Sequence, residues 1–144
     1  MGENVKNIKI GDIVGVGWQA VSCHDCEWCS IGEENLCEKN SGTCTLGAQG
    51  GFSNKWCGDS RFCFKIPEGL PLKFVGPLMC GGITVFSPLK RWANKGQHVG
   101  VLGIGGLGHM AIKFAKAKGC HVTAFSRGNA KVSKLYFIME EKEI

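Results

Sequence analysis

Gly100-Val101-Leu102-Gly103-Ile104-Gly105-Gly106-Leu107-Gly108 decides how this chain is read. The apolar, β-type run 99–102 leads into the pattern G-x-G-G-x-G. Behind it, Leu107, Met110, Ala111, Phe114 and Ala115 fall at i, i+3, i+4, i+7 and i+8, the stripe of an amphipathic helix, with Lys113, Lys116 and Lys118 on the wet face. Gly119 closes that helix, and a second β-type run, 121–125, follows at once. A strand feeding a glycine turn that opens a helix is suited to a pyrophosphate. Glycine lets the backbone turn tightly and approach the anion, and the N–H groups of the first helical turn point at it. The competing reading is a glycine turn that packs helix on strand and holds nothing. The closing glycine and the second strand favour the phosphate cradle.

Downstream, the second run ends at Ser126-Arg127-Gly128. An Asp or Glu at about this distance from the first glycine would take the ribose 2′-hydroxyl of NAD, whereas a basic residue accommodates the 2′-phosphate of NADP. Ser126 and Arg127 stand there, with Lys131 one turn on and no acid competing, so NADP is the preferred cofactor; the alternative is a surface arginine in a loop. Residues 129–143 read as a polar helix with Val132, Leu135 and Met139 inward.

Upstream, the densest chemistry is Cys23-His24-Asp25-Cys26-Glu27-Trp28-Cys29 and then Cys37, a C-x2-C-x2-C-x7-C spacing. Four thiolates so close in sequence can surround one tetrahedral ion, and the short spacings let the chain wrap it while backbone N–H groups bond the sulfurs. Zinc is the preferred ion. An iron–sulfur cluster is the alternative, but the x3 fourth spacing and following proline of bacterial ferredoxins are missing. His24 is expected to be an exposed loop residue, and the surrounding acids a solvated face.

The remaining stretches are plainer. Residues 8–18 suggest a turn at Gly11-Asp12 and then a strand. Residues 51–57 and 61–66 suggest two β segments joined by Gly58-Asp59-Ser60. From Pro71 to Leu89 the pattern is helical, with Pro77 and Pro88 at first-turn or kink positions. Cys80 lies on this helix, and Cys44, Cys57 and Cys63 have no ligand spacing.

With 144 residues, 44% of them apolar, the chain can form one domain or pieces of two. No apolar run reads as long enough to cross a membrane, and the polar start MGENVKNIKIGD lacks the apolar core of a secretory signal. Clustered cysteines without a signal favour metal ligation in a reducing cytoplasm over disulfides. The net charge of +5 is uneven: seven Lys/Arg face nine Asp/Glu in residues 1–85, and ten face three in residues 86–144. The basic half lacks the interleaved aromatics of a nucleic-acid surface, so no nucleic-acid partner is expected.

Taken together, GDIVGVGW, CHDCEWC with GEENLCEK, GGFSNKW, PLMCGGITVFSPLK and VGVLGIGGLGHMAIKFAKAKG resemble the zinc-dependent medium-chain alcohol dehydrogenases, most closely the cinnamyl-alcohol-dehydrogenase-like bacterial aldehyde reductases. The resemblance covers about residues 3–131. It implies an α/β chain with a β-rich part. Residues 1–75 would be the C-terminal part of a GroES-like catalytic domain with a zinc lobe at 19–43. Residues 76–144 would be a connecting helix and the first βαβ unit of a Rossmann domain, a doubly wound parallel sheet. It further implies structural zinc on Cys23, Cys26, Cys29 and Cys37, and Cys80 as the third protein ligand to a catalytic zinc. The pyrophosphate would lie on Gly103, Gly105, Gly106, Leu107 and Gly108, and the 2′-phosphate on Ser126, Arg127 and Lys131. The implied activity is NADP(H)-linked interconversion of small primary alcohols and aldehydes, with zinc as Lewis acid and a homodimer as in relatives.

The departures from that pattern matter equally. The family's other catalytic-zinc ligands, a Cys beside a Ser or Thr and a Gly-His-Glu segment, have no counterpart here. None of His24, His98, His109 and His121 sits in such a context. After Lys131 the sequence VSKLYFIMEEKEI lacks the expected Leu-Gly-Ala-Asp. One ligand does not hold a catalytic zinc. The expectation is therefore a chain truncated at both ends and inactive alone, with a non-catalytic zinc-binding module as the alternative.

Overall fold

A computed structural model describes residues 1–44 and 50–127, so the expectations for Lys131 and for a helix over 129–143 lie outside the described residues. The chain divides into two units, Met1–Met79 and from Cys80 onward.

In the first unit, short strands follow from glycine-interrupted β-branched sequence. Gly11 turns with φ +94°, and the Asp12 carboxylate accepts the Lys9 N–H at 2.8 Å and meets Lys65 Nζ at 2.8 Å. That turn launches β1 (Val14–Val16), which pairs antiparallel with β4 (Cys63–Lys65), Val14 opposite Lys65 and Val16 opposite Cys63. β2 (Gln19–Val21) pairs antiparallel with β3 (Ser41–Gly42). Ala20, Cys37, Phe62, Cys63 and Ile66 are buried. Gly15 is glycine because Met79 packs over it: an added Cβ would stand 2.6 Å from the Met79 sulfur.

The expected hairpin between 51–57 and 61–66 does not form. Residues 54–58 adopt no regular structure and Phe52 is 97% exposed, while β4 takes its partner from β1. Local β-propensity proposes a strand; a distant ladder and burial decide whether one exists. A 3₁₀ turn, Ser60–Phe62, leads into β4 instead, capped by the Asp59 carboxylate accepting the Arg61 N–H at 2.9 Å.

The helical run after Pro71 is composite. A 3₁₀ turn (Leu72–Phe74) and α2 (Val75–Pro77) lead into a π-type turn (Leu78–Gly82), then α3 (Ile83–Trp92). Pro88 sits inside α3. Contrary to the expectation, the 21 residues Leu72–Trp92 are long and apolar enough to cross a membrane by length and composition. Its two prolines and its paired glycines disguise that length in the sequence.

In the second unit β5 (His98–Leu102), α4 (Gly106–Ala117) and β6 (His121–Phe125) form a βαβ unit, the strands parallel and in register from His98 opposite His121 to Leu102 opposite Phe125. Val101, Ile104 and Ile112 form one buried cluster; Ala93, Ala115 and Cys120 form another. The helix buries part of the stripe read from sequence, Ala115 with Ala111 beside the core, and adds Ile112, which lies outside that stripe. Ile112 and Ala115 are fully buried, Leu107 is half-exposed, and Phe114 meets Phe86 of α3 edge-on at 5.3 Å. A helix packed between a sheet and a second helix needs two apolar sides, and periodicity alone names only one.

Candidate metal centre and phosphate cradle

The four spaced cysteines converge. Their sulfur atoms all lie within 4.8 Å of one another, with Cys26–Cys29 and Cys23–Cys37 at 3.6 Å and Cys23–Cys29 at 3.9 Å. A tetrahedral ion with Zn–S bonds of about 2.3 Å places its sulfurs about 3.8 Å apart, so the set fits zinc. Local structure brings this about. Cys26 caps α1 (Glu27–Ser30), Cys29 lies within it, and a 3₁₀ turn (Glu34–Leu36) delivers Cys37, 1% exposed, from the far side.

Backbone N–H groups stabilise the sulfurs as anions. Cys23 N–H donates to Cys37 Sγ at 3.4 Å and Cys26 N–H to Cys23 Sγ at 3.3 Å. The N–H groups of Asp25 and Cys26 lower the Cys23 thiol to about 6. At Cys26 the N–H of Cys29 pulls the same way, but burial and the neighbouring thiols push it up to about 11. A bound cation removes that crowding by deprotonating all four.

His24 is not the exposed loop residue expected. It takes the left-handed φ of +55° that turns the chain between two ligands. Its ring lies 5.6 Å from Phe62, with Nε2 3.2 Å from Ser22 Oγ and 3.8 Å from the Asp59 carboxylate. Arg61 in turn grips Asp59, with Nε 3.0 Å from each oxygen, and holds that carboxyl down at about 2. Sequence reading missed this anchor, because its partners are almost forty residues away.

The glycine stretch forms the turn foreseen for it. Gly103 adopts φ +88° and its N–H donates to the Phe125 carbonyl at 2.8 Å, placing the end of β6 beside the loop. α4 starts at Gly106 with no side-chain cap, and the first helical bond from this end is His109 N–H to Gly105 O at 3.0 Å. The N–H groups of Gly106, Leu107 and Gly108 therefore lack intrahelical acceptors. An added Cβ at Gly105 or Gly106 meets nothing within 4 Å, whereas one at Gly108 collides with the Gly103 carbonyl. Gly103 and Gly108 shape the loop; Gly105 and Gly106 keep the space before it open. Ser126 and Arg127 follow β6 directly and are exposed. A pyrophosphate-bearing dinucleotide fits this arrangement.

Cys80 is exposed, in the π-type turn. Among the described residues no three His, Cys, Asp or Glu side chains converge on it. The donor set for a catalytic zinc does not fit.

The alcohol dehydrogenase GroES-like domain family matches residues 1–68. A probable cinnamyl alcohol dehydrogenase 1 of Oryza sativa subsp. japonica is 46% identical over 139 residues, 91% of this chain and 39% of that protein. The aldehyde reductase AdhA of Synechocystis is 43% identical over 136 residues, 94% of this chain and 40% of that one. The crystal structure of CAD from Helicobacter pylori complexed with NADP(H) superposes with a TM-score of 0.86 at 39% identity, covering 96% of this chain and 42% of that one. The chain thus spans about two fifths of its curated relatives' length. Residues 1–68 match the alcohol dehydrogenase GroES-like domain, and over more than nine tenths of its length the chain is similar to part of cinnamyl alcohol dehydrogenases and an aldehyde reductase.

Proposed function

We propose that this chain carries the structural-zinc lobe and the phosphate-binding βαβ unit of an NADP(H)-linked oxidoreductase that interconverts small primary alcohols and aldehydes. Residues 1–75 belong to the GroES-like catalytic part and residues 76–144 to a connecting helix and the nucleotide-binding part. Cys23, Cys26, Cys29 and Cys37 hold the structural zinc, which supplies fold rather than chemistry. Gly103, Gly105, Gly106, Leu107 and Gly108 seat the pyrophosphate by backbone N–H donation, and Ser126, Arg127 and Lys131 take the 2′-phosphate. Cys80 corresponds to one catalytic-zinc ligand. One thiolate alone does not hold that metal.

The observation that carries this reading is the open space before Gly105 and Gly106, faced by helix N–H groups without intrahelical acceptors. Fluorescence titration with NADPH tests it. Gly105→Asp should abolish binding by setting a carboxylate against the pyrophosphate, with the melting temperature unchanged. Equal NADPH affinity in parent and variant would overturn the assignment. A non-catalytic zinc module is the other reading, and it is favoured only if the parent binds no NADPH at all.

A further inference from the structure

Among the described residues, every backbone position with a positive φ belongs to glycine except one, His24 at +55°. For a residue with a Cβ that conformation is unfavourable, because Cβ crowds the following carbonyl oxygen. Yet the turn stands between Cys23 and Cys26, two of the four converging cysteines, and Cys26 N–H donates across it to Cys23 Sγ at 3.3 Å. The centre therefore uses a strained turn where glycine would be free of strain.

The His24 ring is held from outside the lobe. Its side chain is only 24% exposed, so it is packed rather than solvated. The ring lies 5.6 Å from that of Phe62, a buried residue of the 3₁₀ turn that leads into β4. Nε2 lies 3.2 Å from Ser22 Oγ and 3.8 Å from the Asp59 carboxylate, which Arg61 fixes in turn. Asp59 and Phe62 belong to the corner before the β1–β4 ladder, not to the cysteine lobe.

We infer that His24 is a positioning residue for the metal centre. Its ring, clamped by the Asp59–Phe62 corner, offsets the strain of the left-handed turn and so raises the affinity of Cys23, Cys26, Cys29 and Cys37 for zinc. The filled centre needs that turn, whereas an empty lobe is free to relax it. Whatever steadies the turn therefore adds to metal binding. The inference rests on the reading of the four cysteines as a zinc site. It adds that a corner with no ligand of its own tunes that site.

The test is a double-mutant cycle read by competition for zinc between the full chain and a chromophoric chelator. His24→Ala keeps the Cβ and loses the clamp, and should weaken zinc binding by about tenfold. His24→Gly loses the clamp but takes the turn freely, and should stay within about threefold of the parent. Phe62→Leu should weaken zinc binding by about fivefold in the parent but change it less than about twofold in the His24→Gly chain, which has no ring to clamp. A purely structural role for Phe62 would act equally in both backgrounds. The inference is overturned if His24→Ala binds zinc as tightly as the parent, if His24→Gly loses as much as His24→Ala, or if Phe62→Leu has the same effect in both backgrounds. Should Phe62→Leu fail to fold, Asp59→Asn is judged in the two backgrounds by the same criterion. A parent chain that binds no zinc would overturn the metal reading itself, and this inference with it.

Discussion

Cys37 is the most enclosed of the four sulfurs, and it shows what a single residue contributes to the zinc lobe. It is 1% exposed beside three other thiols, and a bound cation is what makes a buried thiolate tolerable there. Cys37→Ser should weaken zinc binding by more than the roughly 10–100-fold typical of changes outside the ligand shell; metal analysis after gel filtration reads this directly. Asp59 acts at the same scale without touching the ion. Arg61 and His24 gather on its carboxylate, whose folded pKa of about 2 is below its ordinary 3.8. A depressed carboxyl stabilises the fold above its unfolded pKa and loses that contribution as pH falls towards the folded value. The difference in urea midpoint between parent and Asp59→Asn should therefore be full at pH 5–7 and shrink between about pH 4 and pH 2. A difference constant across that window would mean that the Asp59 charge, held chiefly by Arg61, does not contribute to stability.

At the scale of elements, the glycine turn separates shape from function. Gly103 and Gly108 are needed by the backbone itself: one has a positive φ, the other presses on the first one's carbonyl. Gly105 and Gly106 border open space. Gly108→Ala should cost about 1–3 kcal/mol of stability through overpacking. Gly105→Ala should stay within about 0.5 kcal/mol, as a substitution into open surface does. Thermal or urea denaturation of the two variants side by side distinguishes them, and equal losses would mean that the loop is not divided in this way. The strand–turn–helix–strand order was legible because each element announces itself locally: β-branched run, glycines, amphipathic period, closing glycine. Its packing was less so. Ile112, fully buried, fell outside the stripe read from the sequence, because its environment is set by which two elements the helix lies between.

For the molecule as a whole, the two units draw stability from different sources. The lobe at 19–43 has few buried apolar side chains of its own, so its order depends on metal. The βαβ unit has two apolar clusters formed by its own residues. Removing zinc with a chelator should collapse hydrogen-exchange protection around Cys23–Cys37 and leave it in β5, α4 and β6. Simultaneous loss in both regions would show that the metal supports more than its lobe. Spacing alone determined the chemistry: four thiols within fifteen residues cannot avoid one another once the short turns form, and a glycine turn between strand and helix must leave N–H groups pointing outward. Distant contacts decided the rest. β4 ignores its neighbour to pair with β1, and His24 is drawn out of solvent by Phe62 and Asp59. His98 meets His121 because a parallel ladder aligns residues separated by an entire helix. Local sequence carries the propensity of each segment, but partners brought together by folding choose among the options it leaves open.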